Sequence, residues 1–251
     1  MEKTYRFEIC ANGVESCIAA QEGGADRVEL CAGIPEGGTT PSYGEIKTAR
    51  RVLTRTRLHV IIRPRGGDFL YTPLELERMT ADIDIARELG ADGVVFGCLR
   101  ADGTLDTEAN ALLMSHANGM SVTFHRAFDR CANPQEALEE LIVQGFDRIL
   151  TSGQQPTALQ GTPLLRQLHA QAAGRITLLA GCGVNEGNIA TIAHETGIDE
   201  FHFSARVAVK SAMTFSNPDV YMGAKGADEE SVDITSAERV RNTIAQLTCQ
   251  D

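Results

Sequence analysis

Apolar and polar residues alternate with two different periods along the chain, and this alternation divides it into regular units. Short apolar runs typical of buried strands are followed by longer segments whose apolar residues lie three or four positions apart, as in helices. The predicted strands occupy residues 5–10, 27–31, 58–63, 93–97, 121–125, 148–152, 176–180 and 200–204. A strand followed by a helix, eight times over, calls for a parallel sheet.

A Gly-x-Asp repeat precedes every second predicted strand. It occurs at residues 24–26, 90–92, 145–147 and 197–199. The glycine is expected to end the preceding helix in a left-handed conformation. A repeat of two strand–helix units is what a closed eightfold barrel with alternating layers would show. We therefore predict an α/β fold, a (β/α)8 TIM barrel forming one domain over residues 1–251; the alternative is an open α/β sheet.

One long stretch, at about residues 206–235, shows neither period and contains Pro218, Tyr221 and several glycines. A stretch of this length without regular structure is usually functional or disordered. We predict that it is irregular and acts as an arm toward a neighbouring subunit or as a lid over the barrel mouth.

Composition narrows the partners and the compartment. The formal net charge is -11 and no basic run stands out, so nucleic acid is not expected as a partner. No apolar run approaches the ~18 residues of a membrane span, and no signal peptide is visible. The seven cysteines are odd in number and form no CxxC motif, which indicates free thiols in the cytoplasm. No GxGxxG follows the first strand, and no organic cofactor is predicted.

The C-terminal strand ends form the working face of such a barrel. Polar side chains expected at this mouth are Glu8, Glu29, Arg63, Arg65, His125, Arg126 and His202. They predict an enzyme or binding protein for a small anionic metabolite, with Glu8, Glu29, Arg63 and His125 as catalytic candidates. Arg65 and Arg126 would bind the anion. The alternative is an ion-pair network inside the barrel.

Small residues after the sixth and seventh strands add to this hypothesis. They are Ser152, Gly153, Gly181 and Gly183. Small residues let backbone N–H groups approach an anion, as in barrel phosphate sites, so these four are candidates for anion binding. The alternative is that they form tight turns.

Cys10 and Cys31 fall at matching positions on the first two strands, and neighbouring strands run ~4.8 Å apart. Two thiolates at that distance suit a soft ion such as Cu(I). The alternative is a pair of small buried thiols, which is where free cysteine usually lies. The other cysteines show no ligand spacing with any histidine.

Several unusual stretches resemble the CutC family of copper homeostasis proteins over essentially the full length of the chain. The matching stretches are EIC (8–10), GADRVELC (24–31), EGGTTPS (36–42), IRPRGGDF (62–69), TFHRAFD (123–129) and LTSGQ (150–154). The resemblance implies a TIM barrel, a cytoplasmic location, a homo-oligomer and a role in intracellular copper handling. It also implies Cu(I) binding, with the ligands at Cys10 and Cys31.

Overall fold

Eight parallel strands close into a barrel in the computed structural model, which describes residues 4–217, 219–223 and 228–248. The first strand pairs in parallel with the second on one side and with the eighth on the other, so the sheet closes on itself. The strands are β1 Arg6–Ala11, β2 Arg27–Leu30, β3 Arg57–Ile61, β4 Gly93–Phe96, β5 Ser121–Phe124, β6 Arg148–Thr151, β7 Thr177–Gly181 and β8 Glu200–Phe203. The predicted (β/α)8 TIM barrel is confirmed.

A helix follows each of the first seven strands, and an eighth lies near the C-terminus and packs against the first. The helices are α1 Val14–Gly23, α2 Tyr43–Val52, α3 Pro73–Glu88, α4 Thr107–His116, α5 Pro134–Gln144, α6 Thr162–Ala172, α7 Ile189–Thr196 and α8 Ala237–Thr248. Outward-facing apolar strand residues are buried beneath these helices and form the main hydrophobic core.

The Gly-x-Asp repeat has a structural role at both of its fixed positions. All four glycines adopt the left-handed conformation predicted for them, with φ between 78° and 94°. Three of the four aspartates fasten the start of the neighbouring odd-numbered strand. Asp26 accepts a hydrogen bond from the backbone N–H of Phe7, Asp92 from Leu58 and Asp147 from Val122. The repeat therefore turns the chain out of a helix and sets the position of the adjacent strand.

Charged side chains fill part of the barrel interior. Arg27 pairs with Glu8 and, at 2.9 Å, with Glu200, while Arg148 pairs with the same Glu200 carboxylate at 2.9 Å. Glu8 is fully buried and Arg27 is 5% exposed. Buried charges of this kind are tolerated because they are paired and hydrogen-bonded. The ion-pair network considered from the sequence is thus present, and it involves Glu8.

The segment at 206–235 differs from its prediction as an irregular stretch. Its two ends form strands, β9 Arg206–Lys210 and β10 Ser231–Thr235, which pair in an antiparallel ribbon. The prediction missed them because the ribbon is largely exposed and lacks the buried apolar face that marks a strand in a sequence. Its role as an arm or lid stays a prediction. Among the described helices, none is long and apolar enough to cross a membrane.

Candidate metal and ligand site at the barrel mouth

A cavity of about 490 Å³ opens where the strands end, within the size range of small-molecule sites. The candidate residues that line it are Cys10, Glu29, Cys31, Arg63, His125, Arg126, Gly183 and His202. Most of them follow from strand geometry, because alternate side chains of a barrel strand face the interior and the last of them reach the mouth. Arg126 and Gly183 instead lie in the loops after β5 and β7. The structure thus brings most of the predicted site residues into one space.

The two candidate cysteines meet at the wall of this cavity. Their Sγ atoms lie 3.9 Å apart, and the Sγ of Cys31 lies 3.3 Å from Oε2 of Glu29. Donor atoms of these three residues all lie within 4.8 Å of one another. Cys10 is half-buried, whereas Cys31 is buried. This is a compact group of two sulfur donors and one oxygen donor.

The expected register of the two cysteines is wrong. Cys10 pairs across the β1–β2 ladder with Glu29, and Cys31 lies one residue beyond the end of β2. Barrel strands are staggered, so equal positions counted from two strand ends do not face each other. The side chains converge nevertheless, because Cys31 continues the inward-facing series of Arg27 and Glu29.

The two thiols differ in acidity. A hydrogen bond from Cys31 lowers the pKa of Cys10 well below its usual value, with help from His202 and Arg206 and against the effect of burial. The Arg206 guanidinium donates to Sγ of Cys10 at 3.2 Å. The pKa of Cys31 is raised well above its usual value by its contact with Cys10 and by burial. The arrangement therefore favours one thiolate, at Cys10, and one thiol, at Cys31.

His202 connects the cysteines to the buried ion pairs. Its Nδ1 lies 2.7 Å from Oε1 of Glu8, and its Nε2 lies 3.8 Å from Oε2 of Glu29. Burial would lower the pKa of His202, but Cys10 and the two carboxylates raise it well above its usual value. Burial would raise the pKa of Glu8, but Arg27 and His202 lower it. The imidazolium of His202 is thus held between the Glu8 carboxylate and the Cys10 thiolate.

Glu29 has the opposite character from Glu8. Burial raises the pKa of Glu29 to about 8 against the opposing charge of His202, and the neighbouring charges of Cys10 and Glu8 add to the rise. At neutral pH the side chain is therefore mostly a neutral carboxylic acid. Its Oε1 has no hydrogen-bond partner among the described residues. The two glutamates, alike in the sequence pattern, differ because only Glu8 contacts an arginine.

Arg63 and His125 lie side by side around the ring of Phe69. The guanidinium of Arg63 donates to the carbonyl oxygens of Glu36, Gly38 and Gly67, so it fastens two loops at the mouth. It also lies 5.1 Å from the centre of the Phe69 ring, and the His125 ring lies 4.8 Å from that ring. Burial, with a contribution from Arg63, lowers the pKa of His125 to about 3. His125 is therefore neutral.

The two arginines predicted to bind an anion lie in different places. Arg65 is not among the residues that line the cavity and pairs with Glu75 at 2.6 Å and Asp68 at 3.0 Å. Arg126 lines the cavity, pairs with Asp129 at 2.8 Å and donates to Ser152. Of this pair, only Arg126 remains available to a ligand in the mouth.

Of the four small residues, only Gly183 lines the cavity. Ser152 is fully buried and hydrogen-bonds Asp129. Gly153 packs against the backbone of Gly161, and a Cβ there would lie 2.5 Å from its carbonyl oxygen. A Cβ on Gly181 would lie 2.5 Å from the side chain of Leu150. Close packing thus accounts for Gly153 and Gly181.

Three arginines at or below the mouth received no role from the sequence. Arg27 holds Glu8, Arg206 contacts Cys10, and Arg130 lines the cavity. A sequence signal for Arg27 was present, because Arg27, Glu29 and Cys31 alternate strictly along one strand face. No comparable signal marks Arg206, because it enters the site only when β8 closes the barrel against β1.

The chain is similar to known proteins along almost its whole length. The family model described as CutC family matches residues 5–207. A CutC family protein of Bacteroides thetaiotaomicron is 66% identical over 246 residues, covering 98% of this chain and 99% of the relative. The human copper homeostasis protein cutC homolog is 46% identical over 245 residues, covering 96% and 89%.

A solved structure supports the same relationship. The CutC protein of Streptococcus agalactiae has 35% sequence identity and a TM-score of 0.77, and the match covers 80% of this chain and 99% of that chain. Sequence and structure agree with the motifs at the strand ends. The chain belongs to the CutC family.

Proposed function

We propose that the protein binds Cu(I) in copper homeostasis, with Cys10 and Cys31 as the ligands at the barrel mouth. The observation that carries the proposal is the 3.9 Å separation of the two Sγ atoms in a group that also includes Glu29. Metal–sulfur bonds of ~2.3 Å, as in zinc thiolates, allow one ion to contact two sulfurs up to ~4.6 Å apart. Soft thiolates favour Cu(I) over harder cations.

The arginine at the site is compatible with a cation held in this way. Two thiolates and one Cu(I) ion together carry a single negative charge. The guanidinium of Arg206 and the imidazolium of His202 lie beside Cys10 and would balance that charge. Glu29, mostly neutral at pH 7, adds little further negative charge. The surroundings therefore suit a Cu(I)–dithiolate unit better than a bare cation.

The free state of the described cysteines supports a cytoplasmic location. Six cysteines lie in the described part of the chain, and all six are free thiols. A reducing compartment would keep the Cys10–Cys31 pair in the dithiol form that copper binding requires.

The test is anaerobic Cu(I) titration in competition with a chelator. Cys10→Ser and Cys31→Ser should each lower Cu(I) affinity by more than ~100-fold, because loss of an outer-shell contact alone costs 10–100-fold. The matched control is Cys182→Ser, since Cys182 lines the same cavity but its thiol donates to the carbonyl of Pro156. If Cys10→Ser and Cys31→Ser both bind Cu(I) as tightly as the wild type and Cys182→Ser do, this cysteine pair is not the copper site.

The pH dependence of the same titration provides a second measurement. Cys10 is favoured as a thiolate, whereas Cys31 must lose its proton to become a ligand. Affinity for Cu(I) should therefore rise with pH by ~10-fold per unit, with release of about one proton per ion. Release of about two protons would show that the unequal acidity described for the pair is wrong.

A further inference from the structure

Several buried donors around the cavity lack acceptors. The unpartnered atoms are Nε of Arg63, Nε2 of His125 and Nε of Arg206, and all three residues line the cavity. Arg63 is 5% exposed and His125 is 4% exposed. A buried polar group without a partner is costly, so native proteins contain few of them. No described protein atom serves these donors, so the residues around the cavity hold hydrogen-bonding capacity that the described chain does not use.

His125 is a donor toward such a molecule because its tautomer is set by its own loop. Its Nδ1 accepts a hydrogen bond from the backbone N–H of Ala127 at 3.3 Å. A neutral imidazole that accepts at Nδ1 carries its proton at Nε2. The free Nε2 is therefore an N–H group, and it matches the two arginine Nε–H groups in requiring an oxygen acceptor.

The lining of the cavity contains more positive than negative side chains, which also suits an anionic ligand. Four arginines line it, Arg63, Arg126, Arg130 and Arg206, against two acidic residues. One of the acidic residues, Asp129, already accepts hydrogen bonds from Thr151, Ser152, Gln154 and Arg126. The other is Glu29. A positive cavity in a chain of net charge -11 is a local arrangement that attracts anions.

Besides Arg126, two further arginines have guanidinium groups available to a ligand. The exposed side chain of Arg130 makes no hydrogen bond or ion pair with the described residues. Arg206 contacts Cys10 through Nη2 and has no carboxylate partner in the described chain. Guanidinium groups with free N–H pairs bind phosphate and carboxylate oxygens in bidentate fashion.

We propose that the barrel mouth is also a binding site for a small organic oxyanion, a phosphate ester or a carboxylate, held by Arg126, Arg130 and Arg206 above the cysteine pair. The cavity volume of about 490 Å³ is large enough for a ligand bigger than a lone phosphate ion. Such a ligand supplies several oxygen acceptors at once. None of its donors is a sulfur atom, and of its three arginines only Arg206 also contacts a proposed copper ligand.

The experiment uses metal-free full-length protein with two probes, inorganic phosphate and malonate, each matched in ionic strength by sodium chloride. Calorimetric titration and thermal unfolding should show saturable binding of at least one probe and a rise in Tm. Arg130→Gln and Arg206→Gln should each weaken that binding by ~10-fold or more, as expected for a lost charge-assisted hydrogen bond. The relative strength of the two probes distinguishes a phosphate ester from a carboxylate.

The control is Arg166→Gln, because Arg166 is exposed on α6 and does not line the cavity. This variant should bind both probes as the wild type does. Arg130→Gln keeps the test decisive even where Arg206→Gln fails to fold, because the Arg130 side chain supports no other residue. The proposal is overturned if neither probe acts beyond sodium chloride, or if Arg130→Gln binds as tightly as Arg166→Gln. Cu(I) titration of the same variants reports on the copper site separately.

Discussion

Residues of one type acquire different charge states inside this barrel because their contacts differ. His202 touches Glu8 and has a pKa well above the usual value for histidine. His59 is also buried, but its Nδ1 has no partner among the described residues. Burial lowers the pKa of His59 to about 3, with contributions from Arg27 and Arg148 and opposition from Glu8. One histidine is therefore a cation and the other is neutral.

The neutral state of His59 predicts a pH dependence of stability. The unfolded side chain takes up a proton near pH 6.5 and the folded one near pH 3. The stability that follows from this difference is fully present above pH 6.5 and is lost as the pH falls toward 3. His59→Asn should remove up to about 1.4 kcal/mol per pH unit from the slope of unfolding free energy between about pH 6 and pH 4.

Urea unfolding at a series of pH values measures that slope, independently of any overall loss of stability in the variant. His194→Asn is the matched control, because His194 is exposed on α7 and should leave the slope as in the wild type. Parallel curves for wild type and His59→Asn would contradict the assignment of a neutral, buried imidazole.

At the scale of the elements, strand placement depends on small residues at defined points. Gly93 begins β4 directly opposite His59 of β3. A Cβ at Gly93 would lie 2.5 Å from Nε2 of His59 and 2.6 Å from Cε1, and the imidazole is enclosed by the barrel. Gly44 in α2 is a contrasting case, since its Cβ would meet only Oγ of Ser42, at 3.8 Å. Identical substitutions should therefore act in opposite directions.

We expect Gly93→Ala to lower the free energy of unfolding by ~1–3 kcal/mol, because overpacking forces His59 or the strand to move. Gly44→Ala should raise it by ~0.4–1 kcal/mol, because alanine reduces the conformational entropy of the unfolded chain and fits a helix. Urea unfolding at neutral pH compares both variants with the wild type. A Gly93→Ala protein as stable as the wild type would mean that the His59 ring has room to shift.

At the scale of the whole molecule, the β9–β10 ribbon and its connection carry exposed apolar side chains. Met213 is 72% exposed, Phe215 is 75% exposed and Met222 is 89% exposed. The family model ends at residue 207, inside β9, so most of this segment lies beyond it. Large apolar side chains left exposed in one segment are typical of an interaction surface. This surface supports the expectation that the segment is an arm between copies of the chain.

Light scattering coupled to gel filtration tests this expectation. The wild type should elute as an oligomer, and the double variant Phe215→Ser/Met222→Ser should shift toward the monomer in a concentration-dependent way. Val143→Ser is the control, because Val143 is 87% exposed on α5 and lies outside the ribbon. If the wild type is a monomer, or if the double variant keeps the wild-type mass, the arm interpretation is wrong and only the lid interpretation of the segment remains.

The sequence by itself determined the closed barrel and the identity of the cysteine pair. Both follow from local rules, since strand alternation sets which residues face inward and the Gly-x-Asp repeat marks each second strand. Tertiary structure alone decided the stagger that pairs Cys10 with Glu29, the contact of Arg206 with Cys10, and the opposite protonation of Glu8 and Glu29. These depend on the ends of the chain meeting where β8 closes on β1, and on burial, which no local pattern records.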